Sequence, residues 1–101
     1  MSKRDAWIDK IKARLDEANA EIDKYEARAR RASADQRMKY EDQVDELRQR
    51  RDGLKDKLRD LREASDEAWD DIKHGAESAW DHLSDGLARA RKRFALGAAI
   101  A

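Results

Sequence analysis

Ala29-Arg30-Arg31-Ala32-Ser33-Ala34-Asp35-Gln36-Arg37-Met38-Lys39-Tyr40 is the stretch whose reading decides how this chain is arranged. Before it, Ile8, Ile11, Leu15, Ala18, Ile22, Tyr25, Ala29 and Ala32 step alternately by three and four, which keeps one apolar stripe on one side of a helix. Within it, Ala32, Gln36, Tyr40 and Val44 follow three successive steps of four, a stutter that rotates the seam. Ser33-Ala34-Asp35-Gln36 also matches a capping box, with Ser33 as the cap and Gln36 reaching back. Two arrangements compete: one helix from about residue 3 to about 63, or a helical hairpin broken near Ser33. No Gly or Pro lies between residues 25 and 50, which weighs against a tight turn. The expectation is therefore a continuous helix, with the hairpin as the alternative.

Beyond the stretch, a second heptad run continues through Val44, Leu47, Leu54, Leu58 and Leu61, with Arg51 at one contact position. Gly53 costs a helix interior about 1 kcal/mol, which weakens it without ending it. Ala64-Ser65-Asp66-Glu67 reads as a boundary: Ser65 or Asp66 can cap a new helix, and the acids at 66, 67, 70 and 71 suit its positive end. An 11-residue repeat follows. Glu67-Ala68-Trp69-Asp70-Asp71-Ile72-Lys73-His74-Gly75 is echoed by Ser78-Ala79-Trp80-Asp81-His82-Leu83-Ser84-Asp85-Gly86, and a third copy places Phe94 and Gly97 at matching positions. That period brings the same face round every three turns, so Trp69, Ile72, Ala76, Trp80, Leu83, Leu87 and Phe94 form one broad stripe. The expected divisions are a heptad segment 1–63, an amphipathic helix 64–95 and a short apolar tail 96–101.

The composition fits this pattern. Of 101 residues, 46% are charged, and 23 basic residues balance 23 acidic ones, which argues against a strongly basic nucleic-acid binder or an acidic tail. Without cysteine there is no disulfide framework or thiolate metal site. The charged opening lacks the apolar stretch of a signal peptide, and no window approaches the ~18 apolar residues that cross a bilayer. These features predict a soluble, cytoplasmic chain. Ala, Glu, Lys, Leu and Arg total 57 residues, the mixture of long helices, while Leu, Ile, Val and Phe number only 15. So small a supply of large apolar groups predicts association with another chain. The fold class expected is all-α: an elongated coiled coil followed by an amphipathic helix.

The chain resembles a family of small bacterial coiled-coil stress-response proteins of unknown biochemical activity. The residues that carry the resemblance are Met1 to Trp7, Tyr40-Glu41-Asp42-Gln43-Val44-Asp45-Glu46-Leu47-Arg48, and Ala64 to Gly75, with the paired Ala-Trp-Asp motifs as its most specific element. It spans roughly residues 3 to 94. It implies an α-helical, non-enzymatic, cytoplasmic protein whose abundance answers to stress, and it supplies no catalytic or binding residues.

Chemical motifs are sparse. His74 and His82 share a helix face but stand about 12 Å apart at 1.5 Å per residue, too far to share one ion. They read as surface histidines. The carboxylates are too numerous to single out an acid–base pair, and there is no nucleophile with a partner base, so no enzyme, cofactor or metal is expected. Arg28, Arg30 and Arg31, and Arg48, Arg50 and Arg51, form local basic patches flanked by acids, more consistent with solvated faces than with nucleic-acid contact.

The expected function is structural: self-association as a homo-oligomer, or docking on a larger protein complex. The residues expected to carry it are Ile8, Ile11, Leu15, Ile22, Tyr25, Val44, Leu47, Leu54, Leu58 and Leu61, with a second surface of Trp69, Ile72, Trp80, Leu83, Leu87 and Phe94. The alternative is a peripheral membrane protein, or an accessory subunit of a membrane complex. It would attach through the amphipathic helix and the cations Arg89, Arg91, Lys92 and Arg93. The acidic run from 63 to 85 opposes a helix lying flat on lipid, so packing of the stripe against protein is favoured.

Overall fold

The computed structural model describes residues 2–100, and the surroundings of side chains from residue 2 to residue 95. Three helices follow one another: α1 (Lys3–Arg31), α2 (Ala34–Glu63) and α3 (Trp69–Ile100). The all-α class and the elongated shape are as expected, with extents of 51 × 20 × 17 Å. The radius of gyration, 16.0 Å, exceeds the ~13 Å of a compact domain of this length.

The helix does not run on through Ser33. α1 stops at Arg31 and α2 runs back along it, so the hairpin alternative is the one realised. The connection needs neither Gly nor Pro. Ala32 (φ −74°, ψ 159°) and Ser33 (φ −59°, ψ 160°) are both extended at negative φ, a conformation open to any L-residue. Nor does the predicted capping box form, because the Ser33 side chain makes no cap hydrogen bond. Arg37 fastens the turn instead, donating from Nη2 to the carbonyl oxygens of Arg30 (3.3 Å) and Ala32 (3.4 Å), acceptors orphaned at the end of α1. What reads as a stutter is the reversal of the chain.

α2 ends at Glu63, but α3 begins at Trp69 rather than at residue 64 and runs to Ile100, past the expected end at 95 and into the segment read as a tail. Ala64 is extended, its N–H donates to the Leu61 carbonyl, and Ser65 Oγ accepts from the Ala68 N–H at 3.3 Å. Ala32 closes α1 in the same way, its N–H bonded to the Ala29 carbonyl, but Ser33 lacks the capping bond that Ser65 makes. Ser2 caps α1 by accepting from the Asp5 N–H at 3.1 Å. The Ser-x-x-Asp spacing of Ser2 and Asp5 is a sequence signal that the reading above passes over.

α2 packs closely on both neighbours, whereas α1 and α3 approach each other less. The heptad seams of α1 and α2 meet between the helices, and Arg51, at a contact position, reaches Asn19 Oδ1 at 3.3 Å. The 11-residue repeat of α3 divides its work by position. Leu83 and Phe94 enter the core, and Ile72 is half-buried at the equivalent place. Gly75 and Gly86 face α2. A Cβ at Gly86 would lie 3.1 Å from Leu47 Cδ2 and 3.2 Å from Arg50 Cδ, so these α2 side chains pack on the α3 backbone in space that a Cβ would crowd. At Gly53 a Cβ would meet nothing within 4 Å.

These contacts set opposite expectations for two glycines. Gly53→Ala should raise the unfolding free energy by about 0.5–1 kcal/mol, by removing backbone entropy from the unfolded chain. Gly86→Leu should lower it by roughly 1–3 kcal/mol through overpacking against Leu47. Urea unfolding followed by circular dichroism reads both.

Candidate interaction surface

The side chains chosen from the sequence for contact with partners are directed into the chain's own core. Ile11, Leu15, Ile22 and Tyr25 of α1, Val44, Leu47, Leu54, Leu58 and Leu61 of α2, and Leu83, Leu87 and Phe94 of α3 are buried within the bundle. Ile8, Trp69, Ile72 and Trp80 are half-buried. The stripe of α3 therefore packs on the hairpin, and a contact through either seam would require the helices to part.

α1 and α3 are joined by aromatic rings and cations, a seam invisible to heptad reasoning. Arg4 lies 4.3 Å from the centroid of the Trp69 ring, Arg14 5.3 Å from Trp80 and Arg28 5.1 Å from Phe94, while Lys73 of α3 lies 5.4 Å from Trp7. Trp7 and Trp69 meet edge to face at 6.1 Å. Positions 69, 80 and 91 of the repeat are equivalent, and each reaches α1. Trp69 and Trp80 receive arginines, while Arg91 itself pairs with Glu21, Nη2 to Oε1 at 2.8 Å. Arg4 also donates to Asp66 Oδ1 (2.8 Å) and the Ala64 carbonyl (2.7 Å), tying the start of α1 to the second turn. Cations over rings contribute about 0.5–1 kcal/mol each at exposed sites, so the seam is stabilising without demanding close backbone approach.

The four cations proposed for lipid differ in their surroundings. Arg91 is bound to Glu21, and Arg89 lies 3.7 Å from Glu46, whereas Lys92 and Arg93 are exposed without an ion pair among the described residues. Glu21 also accepts from the Tyr25 hydroxyl at 3.1 Å. Burial, the bond to Glu21 and its negative charge raise the Tyr25 pKa above the usual 10.0, with Arg91 offsetting part of the rise. The folded state then holds this proton more tightly than the unfolded chain. Its contribution to stability is complete below pH 10 and lost as pH rises through the elevated value. Tyr25→Phe should remove that alkaline step, read as a melting temperature that falls less as the pH rises above 10. On the opposite face, Arg48 sits 2.7 Å from Glu26 and holds its carboxyl below the ordinary value.

The described outer surface carries shallow grooves between the helices. One, of about 560 Å³, runs between α1 and α2 and is lined by Lys12, Asp16, Asn19, Arg51, Lys55 and Arg59, with Leu15 and Leu58 at its floor. His74 and His82 are exposed. Among the described residues, no three His, Cys, Asp or Glu side chains gather to hold a metal ion.

Residues 1–62 match the family model described as the vesicle transport v-SNARE protein N-terminus. The chain belongs to this family. The matched residues are α1 and α2 up to Arg62, the complete hairpin but for its last residue, while α3 lies beyond the match. No curated protein and no solved structure matches the chain. The family is one of helical protein-interaction domains, in keeping with docking on other proteins. It gives no support to the resemblance to bacterial stress-response proteins. Among the described residues, no helix is long and apolar enough to cross a membrane.

Proposed function

We propose that this chain is a non-enzymatic docking module of vesicle transport, which binds a membrane-associated protein complex through the outer faces of a preformed bundle. The observation that carries this reading is the coincidence of the family match with the α1–α2 hairpin, a unit whose apolar side is already covered by α3. A module closed in this way offers partners a rigid polar surface, and its specificity then comes from charge and shape rather than from exchange of its core. The groove between α1 and α2 is the concave part of that surface and lies within the matched residues. SNARE proteins of the same transport step are the partners the family favours.

Photoreactive residues at Asp16, Lys55 and Asp81, all exposed, would test it. The expected result is an adduct with a vesicle-transport protein in the membrane fraction, formed from Asp16 or Lys55 and not from Asp81. A chain recovered entirely in the unbound pool, with no adduct from any of the three positions, would overturn the reading.

A further inference from the structure

The stacking of Phe94 on Tyr25 and Tyr40, with ring centroids at 4.5 and 4.4 Å, brings the end of α1, the start of α2 and the last part of α3 to one end of the rod. Residues 27–40 and 92–95 of that end hold seven basic residues and one acid, Asp35. The remainder of the chain holds sixteen basic and twenty-two acidic residues. A chain with no net charge is thus a rod with one positive tip. Arg28 lies over Phe94 and donates to its carbonyl at 2.9 Å, while Arg30, Arg31, Arg37, Lys39, Lys92 and Arg93 are exposed around the tip. Of these six, only Arg30 pairs with a carboxylate among the described residues, Glu26 at 3.4 Å. Between Arg37 and Lys39 stands Met38, 71% exposed, the large hydrophobic side chain that the described fold leaves in solvent.

We propose that this tip is a contact site for an anionic membrane surface, met end-on, with Met38 entering the boundary between headgroups and acyl chains. The proposal goes beyond the docking of proteins and does not depend on it. A single flexible apolar side chain ringed by cations suits a lipid surface, where the methionine leaves water while its neighbours meet phosphates. End-on geometry follows from the rest of the charge. A rod lying flat would press its acidic body on the anionic surface. Standing upright, a rod 51 Å long keeps most of that charge several times beyond the ~8 Å screening length of physiological salt. This differs from attachment through the amphipathic stripe of α3, whose Leu83, Leu87 and Phe94 are buried in the bundle.

Vesicle co-sedimentation of the full chain tests the site. Vesicles of 30% phosphatidylserine in phosphatidylcholine should bind it, pure phosphatidylcholine should not, and binding should fall steeply with salt. Arg31→Glu with Lys39→Glu should weaken binding by about 30-fold or more, each cation near such a surface being worth roughly a factor of five. Met38→Asp should also weaken it, while Lys3→Glu with Lys10→Glu at the opposite end should not. Circular dichroism confirms that each variant is folded. Equal loss from the two ends, or equal binding to neutral vesicles, would overturn the proposal. So would competition by polyphosphate that leaves Met38→Asp without effect, which marks a site for soluble polyanions. Dimers that form at low salt without lipid and vanish on tip reversal would assign the tip to the acidic end of a second copy, and would equally overturn it.

Discussion

Phe94→Ala is expected to destabilise the chain by about 3–5 kcal/mol, a large part of the 5–15 kcal/mol that holds a domain together. Phe94 is fully buried and stacks on one tyrosine from each of the other two helices, at interplanar angles of 18° and 20°. It is therefore the residue at which all three helices touch one ring. Truncation leaves a cavity that helices of this rigidity cannot close, and it removes the ring beneath the Arg28 guanidinium as well. The loss should appear in urea unfolding as a lower midpoint. Hydrogen exchange should show it most strongly around Tyr25, Tyr40 and the last turns of α3, with the Trp7–Trp69 end less affected. Uniform loss of protection along the rod would mean that the aromatic stack is not a local fastening.

Leu47→Asp is expected to abolish folding. Leu47 is buried completely and lies against the bare backbone of Gly86, and the neighbouring cation, Arg50, already donates to the His82 carbonyl (2.7 Å) and to Glu46 Oε1 (2.6 Å). An isolated buried charge costs several kcal/mol even after relaxation, which exceeds what a bundle of this size can lose. Helical circular dichroism should vanish at every protein concentration. The unfolding midpoint of the unaltered chain should be independent of concentration, since its apolar seams are satisfied within one molecule. A midpoint that rises with concentration would show that the seams meet between chains after all.

Much of this architecture is legible in the spacing of residues. The α1 stripe from Ile11 to Ala29 and the α2 stripe from Val44 to Leu61 are buried as the heptads indicate, because side chains three and four apart must share a helix face. The repeat of α3 is equally legible, since Leu83, Leu87 and Phe94 of its stripe are buried. The α1–α3 seam is not. Its contacts are long cations laid over rings, Arg4 on Trp69 and Arg14 on Trp80, and neither arginine belongs to the apolar spacing from which the stripes are read. The positive tip is hidden for a related reason. Lys92 and Arg93 are more than fifty residues from Arg31 and Lys39, and their sum emerges only when the helix ends are brought to one place.

Residue order alone determined that the polymer is helical nearly throughout, where its apolar faces lie, and that a boundary falls at Ala64-Ser65. Three-dimensional packing decided the reversal at Ala32-Ser33, and with it whether those faces meet a neighbour or one another. The physical reason is that apolar spacing specifies a face without naming what covers it. A two-residue turn at ordinary negative φ leaves no glycine or proline as its mark, so the choice rests on the burial gained when α1, α2 and α3 close together.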